Sequence, residues 1–434
     1  MAQRYRVGSE VVAADAETFQ TALEQAQARK FKVFCLCRTS QNLRMYIARR
    51  HDRLVLARWP GSGSDHATSC DHFEAPDHLT GMGQVKGGAV IEDEESGEAL
   101  LKVQFPLTRG AARAAPTALS NDKSTVKSTG QKLSMRGLLH FLWDKAELTH
   151  WHPKMAGKRS WFVVRRALLE AASGCRVKQK PLSEVLFVPE SFDKRNVEGW
   201  RSRRDAALQR VRFSREDMLI AIGELKEVTV KNMTERVVLK HAGLGFSMDA
   251  DMARRFHKRF GDLIEARENL DDRGAQIVFM GSFSGTREGS LQLVECTMML
   301  VTREWIPFET IADFDMIGSA LHAGRRFVKA MRVNLEREVP IASLFLKDTG
   351  ELATAVYSLD TAVSMSAESL HDMDSGLVDH FVWGVHRDGE RAWPAGRVEK
   401  PSSLGEVAAA AKRVAAERRV GESGASDDGE RAAA

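Results

Sequence analysis

Long hydrophobic runs are absent from this 434-residue sequence. No apolar stretch reaches the roughly 18 residues that a membrane-spanning helix needs, so no membrane role is expected. The opening residues, MAQRYRVGSEVVAADAETF, also lack the apolar core of a signal peptide. Both absences point to a cytoplasmic, reducing location. Cysteine is scarce, with five in the chain, and a structural disulfide is not expected in that compartment. None of the five forms the Cys-x-x-Cys pair of a thiol redox motif. A strong charge of either sign is missing as well, since the net value is +4. What remains is an ordinary globular composition, 43% apolar and 28% charged, in a chain long enough for two to four domains.

Two of the scarce cysteines stand one residue apart, in KVFCLCRTSQ (residues 32–41). In a strand, residues i and i+2 point to the same side, so Cys35 and Cys37 can converge on one ion. The segment RWPGSGSDHATSCDHFE then supplies His66, Cys70 and His72, and its Gly-rich start allows the loop to fold back. Zinc takes four N or S ligands in a tetrahedron, and three thiolates with one imidazole form a common structural set. Such a closed site leaves no position for a reactive water. His66 is the expected fourth ligand, with His72 the alternative. The three-residue spacer of His66-x-x-x-Cys70 suits a turn closing on a metal and resembles the zinc ribbon of CoiA-like competence proteins. Cys70-x-His72 resembles the SWIM-type pattern. The competing reading is two buried thiols with solvent-facing histidines. Cys175 and Cys296 stand alone in apolar settings and read as core residues.

The chain divides by pattern into a multidomain α+β protein. Residues 1–107 form a β-rich zinc-binding module, with FKVFCLC, LRMYIARR and RLVLARWP as strands and a hairpin turning at Glu94–Gly97. Residues 108–132 are small and polar, a linker. Residues 133–212 read as a basic helical domain: SMRGLLHFLWDKAEL with Ser134 as N-cap, SWFVVRRALLEAASG with Ser160 as cap and Gly174 as stop, then a strand in LSEVLFVPESF. That order is compatible with a winged helix-turn-helix. Residues 213–398 form an α/β domain, and 399–434 a short helix and disordered tail.

Charge is unevenly spread. Between Asp122 and Arg212 there are about 20 Lys and Arg against about 9 Asp and Glu, an excess of roughly +11. An excess of that size suggests a polyanion partner, expected to be DNA. Lys158, Arg159, Arg165 and Arg166, around the start of the second helix, are the candidate phosphate contacts, joined by Arg325, Arg326 and Lys329 further along. His150 and His152, in THWHPKMAGKRS, have no thiol or carboxylate pair at ligand spacing nearby. They read as part of a loop packed by Trp151 and rimmed by Lys154, Lys158 and Arg159.

The order helix, strand, strand, strand, helix, strand in the final globular part resembles the core of PD-(D/E)XK nucleases. The resemblance implies a helix Glu, an Asp after Pro, and a Glu-x-Lys that together hold a divalent metal. Glu309 stands at the helix position, but Ile341 follows Pro340 where Asp is expected, and Ala355-Val356-Tyr357 replaces Glu-x-Lys. Asp348 and Glu351 lie in a turn-like stretch between strands. The expectation is a degenerate, inactive fold, with Glu309 and Asp348 as the only candidates for residual catalysis. More broadly, FKVFCLCR, LARWPGSGSDHATSC, LLHFLWDKAELTHWHPKMAGKRSW, LFVPESF and WIPFE…GRRFVKAMR resemble the bacterial family catalogued as domain of unknown function 1173. Its members are carried on plasmids and integrative elements, which implies a mobile-element context and protein partners from a conjugation system. The reading is a zinc-containing, non-catalytic nucleic-acid-binding protein. The alternatives are a metal-dependent DNA nuclease and a structural adaptor that binds proteins.

Overall fold

The computed structural model describes residues 3–38, 41–50, 53–59, 61–93, 98–108, 131–178, 180–214, 216–336, 339–367, 369, 373, 376–384 and 393–394, with 405, 408, 409, 411–413, 415 and 416 near the end. The turn expected at Glu94–Gly97, nearly all of the expected linker and most of 399–434 lie outside them. It is a mixed α/β protein built on four sheets. Its helices are α1 (Phe19–Ala28), α2 (Met135–Lys145), α3 (Trp161–Ser173), α4 (Val197–Phe213), α5 (Ala250–Glu268), α6 (Ile311–His322) and α7 (Leu359–Ser364). Among the described residues, no helix is long and apolar enough to cross a membrane.

The N-terminal sheet is antiparallel, with strands in the order Glu10–Ala13, Arg4–Val7, Val33–Cys35, Leu43–Arg50 and Arg53–Arg58. Period-2 alternation sends Tyr5, Val7, Val33, Cys35 and Met45 to one face. There they bury Leu23 and Ala26 of α1. This core contains two of the candidate metal ligands, Cys35 and Cys70.

The second sheet takes Val90–Glu92 and Ala99–Leu101 from before the expected linker, and Cys175–Val177 and Lys180–Pro181 from after it. Ala99–Leu101 pairs in parallel with Cys175–Val177. α2 lies in the core behind this sheet, with Leu138, Leu139, Phe141, Leu142 and Trp143 all buried. Ser134 accepts a hydrogen bond from the Gly137 N–H at 3.0 Å, which is the N-cap its sequence position suggested.

The third sheet closes on itself. The 14-residue strand Met218–Lys231 pairs through its first half with Gln276–Gly285 and through its second half with Thr234–Leu239. A register shift between Leu225 and Glu227 lies next to the change of partner. The ring continues through Gly245–Ser247 and Leu291–Val301, and the latter returns to Gln276–Gly285. Closure removes the exposed edges that open sheets must protect. Phe246, Phe279 and Phe283 fill the interior, the rings of Phe246 and Phe283 with centroids 3.9 Å apart. The strand expected in LSEVLFVPESF contracts to Leu186–Phe187 and adds in parallel to this sheet.

The fourth sheet follows α6. Phe327–Lys329, Leu344–Leu346 and Ala353–Ser358 run antiparallel, and α7 crosses over to Val378–Trp383, which is parallel to its neighbour. The outer edge of Phe327–Lys329 is covered by His150–Trp151, from the segment expected to be a separate basic domain. The divisions drawn at 107/133 and 212/213 therefore do not separate independent modules, and residues 133–212 are not a self-contained winged helix. The physical reason is edge pairing. Two- and three-residue strands cannot satisfy their backbone groups alone, so they complete sheets begun elsewhere in the chain. Side-chain packing agrees, since one core joins Val85, Trp143, Trp161, Ile222, Met299 and Val333.

Phe283 is wholly buried in the barrel. Phe283→Ala should cost about 3–5 kcal/mol, read as a lower urea midpoint, with less loss of the N-terminal sheet's signal.

Candidate metal centre

Cys35 ends a strand of the N-terminal sheet, and Cys37 follows it at the two-residue spacing that keeps both on one side. The opposing half comes from a compact loop. A short 3-10 turn at Gly63–Asp65 leads into His66, whose N–H donates to the Gly63 carbonyl, and the Cys70 N–H donates to Ala67 O at 2.8 Å. The result brings Cys35, Cys37, His66 and Cys70 together, with one ligand atom from each within 4.8 Å of the others. Cys35 Sγ and Cys70 Sγ are 3.8 Å apart, and His66 Nδ1 lies 3.4 Å from Cys37 Sγ and 3.6 Å from Cys70 Sγ. All five cysteines are free, so the cluster is not a disulfide. These four groups could bind a metal ion, and they form the one such cluster found among the described residues.

The electrostatics favour a cation there. Hydrogen bonding from Cys35 pulls the Cys37 thiol far below its usual range. Hydrogen bonding with Cys37 pushes Cys35 up to about 11, and hydrogen bonding with Cys35 raises Cys70 further still. Three thiols this close cannot all ionise unless a positive charge sits between them. The surroundings favour sulfur that carries negative charge. Gln3 Nε2 donates to Cys35 Sγ at 2.9 Å and to Cys70 Sγ at 3.0 Å, and the N–H groups of Ala67 and His72 donate to Cys37 and Cys70 at 3.4 Å.

His72 stands outside the cluster. Its Nε2 shares a 2.7 Å hydrogen bond with the Tyr5 hydroxyl, and burial pushes its imidazole down to about 3. Its ring lies 5.6 Å from that of His66 and packs beside the ligand set.

The outer face of the ligand loop is tied to the fourth sheet. Lys347 Nζ donates to Cys70 O at 2.8 Å, Arg326 donates to Ser69 O at 3.3 Å, and Thr68 Oγ1 donates to Gly350 O at 2.7 Å. Lys347 is buried, and burial lowers its ammonium to about 8. Nothing in the local sequence marks Lys347 or Gln3. Both act through contacts more than 30 residues away.

The other candidates separate into free and committed groups. Lys158, Arg166 and Arg326 line one cleft of about 610 Å³, together with Lys154, Arg159 and Lys347. Arg159 is a structural clamp rather than a free cation. It donates to Leu148 O at 2.8 Å, to His150 O and to Glu304 O, and it lies over the Trp151 ring. Arg165 donates to Val188 O and pairs with Glu190. His150 and His152 border the same cleft. His152 Nδ1 accepts from the Lys154 N–H, and burial drives the His150 imidazole well below its usual value.

Glu309 and Asp348 do not meet over a metal. Arg332 donates to Glu309 at 2.6 Å. Burial pushes the Glu309 carboxyl up, but Arg332 and Lys329 pull it below its ordinary value. Arg325 holds Asp348 through three contacts of 2.7–3.2 Å. Lys329 is buried and paired with Asp313 at 3.3 Å. Asp313 is a buried carboxylate that its sequence position does not reveal, because it sits on the inner face of a helix where apolar residues are the rule.

Four N/S groups gathered by an antiparallel sheet and a compact loop, on a mixed α/β scaffold, make a cluster that could bind a metal ion. The family follows from comparison. Residues 5–385 match the family described as protein of unknown function (DUF1173), and the chain belongs to that family. No curated protein and no solved structure matches it.

Metal retained after gel filtration distinguishes the two histidines. His66→Ala should lose most of it, and His72→Ala should keep it. The reverse result would make His72 the ligand.

Proposed function

We propose that this is a zinc-containing, non-catalytic nucleic-acid-binding protein whose basic cleft, backed by the metal loop, holds the phosphate backbone of DNA. The ligand geometry supports zinc. A tetrahedron with Zn–S of about 2.3 Å and Zn–N of about 2.0–2.1 Å has S···S edges of about 3.8 Å and S···N edges of about 3.6 Å. Three of the six separations are 3.8, 3.4 and 3.6 Å, and all six lie within 4.8 Å. In this role zinc would fold the loop and leave no open coordination position.

The observation that carries the binding reading is the cleft. Six cations line it against two carboxylates, Asp71 and Glu147. Lys154, Lys158 and Arg166 are exposed there, so they can exchange counterions for phosphates. The cations come from the basic central segment and from the fourth sheet, two stretches singled out separately by charge. The mobile-element context and conjugation partners implied by the family resemblance fit a DNA-handling role.

The order α6, three antiparallel strands, α7 and a parallel strand supports reading 311–383 as a nuclease-like core without its catalytic carboxylates. Ile341 and Ala355 are buried apolar residues at the expected metal positions. The nuclease alternative is weakened because Glu309 and Asp348 are each bound to an arginine. Mg²⁺ or Mn²⁺ should support no cleavage of plasmid or single-stranded DNA, and cleavage lost in Glu309→Ala would promote that alternative.

Two measurements test the main reading on the full chain. Protein purified without chelator should carry about one zinc, lost in Cys37→Ser; elemental analysis finding none refutes the zinc assignment. Affinity for duplex DNA should fall steeply with salt. Replacing Lys158 and Arg166 with glutamine should flatten the log–log slope by about two. Dissociation constants weaker than roughly 10⁻⁴ M even at low salt would rule DNA out and leave the adaptor reading.

A further inference from the structure

Three cations are buried among the described residues: Lys329, Arg332 and Lys347. Lys329 has Asp313 at 3.3 Å and Arg332 has Glu309 at 2.6 Å. Lys347 donates to the Cys70 carbonyl at 2.8 Å and faces the Phe73 ring, its Nζ 5.5 Å from the centroid, while Asp71, Cys70 and Glu147 act on it only at longer range. It enters no ion pair with a described carboxylate. An ammonium has three donors, and a buried charge without a counter-ion is costly. Lys347 is 6% exposed, and it borders the basic cleft beside Arg326 and His150. The cleft's own carboxylates do not neutralise it. Asp71 is largely exposed and reaches Arg326 at 3.8 Å, and Glu147 is exposed.

We propose that Lys347 and Arg326 form an inner anion subsite at the floor of the cleft that takes a terminal phosphate monoester, so that the protein recognises the phosphorylated end of a nucleic-acid strand. This rests on the nucleic-acid reading above. A recessed ammonium is out of reach of a phosphodiester flanked by two sugars, whereas a strand end can enter. A phosphate monoester carries about −1.5 to −2 charges at neutral pH, more than a diester's single charge, and it suits a site with one buried and one half-buried cation. The guanidinium of Arg326 adds a planar fork matched to phosphate oxygens. The subsite also depends on the metal loop, because the carbonyls of Cys70 and Ser69 hold both cations in place.

Short single-stranded oligonucleotides bearing a 5′-phosphate, a 3′-phosphate or no terminal phosphate would be titrated against the full-length, metal-loaded protein by fluorescence anisotropy. One phosphorylated form should bind about tenfold more tightly than the unphosphorylated strand, the scale of one charge-assisted contact. Lys347→Met should abolish that difference, whatever it does to the affinity for the unphosphorylated strand. Lys347→Arg should preserve it, and Arg326→Gln should reduce it even if the methionine variant does not fold. Equal affinity for all three strands, or a preference surviving in Lys347→Met, overturns the proposal. If no strand binds, the nucleic-acid reading fails with it. If inorganic phosphate then protects wild type but not Lys347→Met against thermal unfolding, the anion subsite stands as a site for free phosphate, and strand-end recognition is overturned.

Discussion

Three sulfurs and an imidazole nitrogen within 4.8 Å of one another pose a charge problem on which much of the molecule turns. Unliganded, the thiols compete for protons, and one ionises at the expense of the others. With a cation between them all three become ligands, and the loop from His66 to Cys70 acquires a fixed shape. A fixed loop presents fixed carbonyls. Those of Ser69 and Cys70 point away from the centre and accept hydrogen bonds from Arg326 and Lys347. Under the zinc proposal, the ion would therefore organise the wall of a cleft beside Arg326 and Lys347, which flank strands of another sheet, without contacting any ligand of that cleft.

The carboxylates of α6 and the fourth sheet show how folding can account for such groups. Glu309 and Asp348 each accept from an arginine, and Asp313 accepts from Lys329 inside the core. Breaking a buried pair by removing one partner leaves the other charge uncompensated, which is strongly destabilising. A carboxylate bound in this way is retained by folding alone. Its presence at a catalytic-looking position says little about catalysis. Lys347 differs in this respect, since it forms no ion pair with a described carboxylate and feels Asp71 and Glu147 only at longer range.

Chemistry that depends on local spacing was legible in the sequence. Cys-x-Cys in a strand and His-x-x-x-Cys in a turn specify which atoms can converge, because both spacings fix direction over a few residues. The apolar stripe and Ser134 cap of α2 were legible for the same reason. Domain limits were not. The pairing of Ala99–Leu101 with Cys175–Val177, and of His150–Trp151 with Phe327–Lys329, brings together strands of two or three residues. Their partners are chosen by edge complementarity over 75 to 180 positions, which no window of sequence displays. Arg159 illustrates the same limit for function. Its charge suggested a phosphate contact, but three backbone carbonyls take its donors.

Those long-range pairings also bear on how the parts act together. His150–Trp151 is an edge strand of the fourth sheet and a border of the basic cleft, and it follows α2 after only a short turn. α2 in turn packs against the second sheet and the barrel. A displacement of the metal loop would load Lys347 and Arg326, and through them the sheet that carries His150. The basic cleft is therefore not a surface added to one domain. Four segments build it: the loop around Asp71, the stretch after α2, α3 with Arg166, and the strands around Phe327 and Leu346. Such a cleft keeps its shape only while the cores behind Cys70, behind α3 and behind Trp151 and Phe327 are all intact.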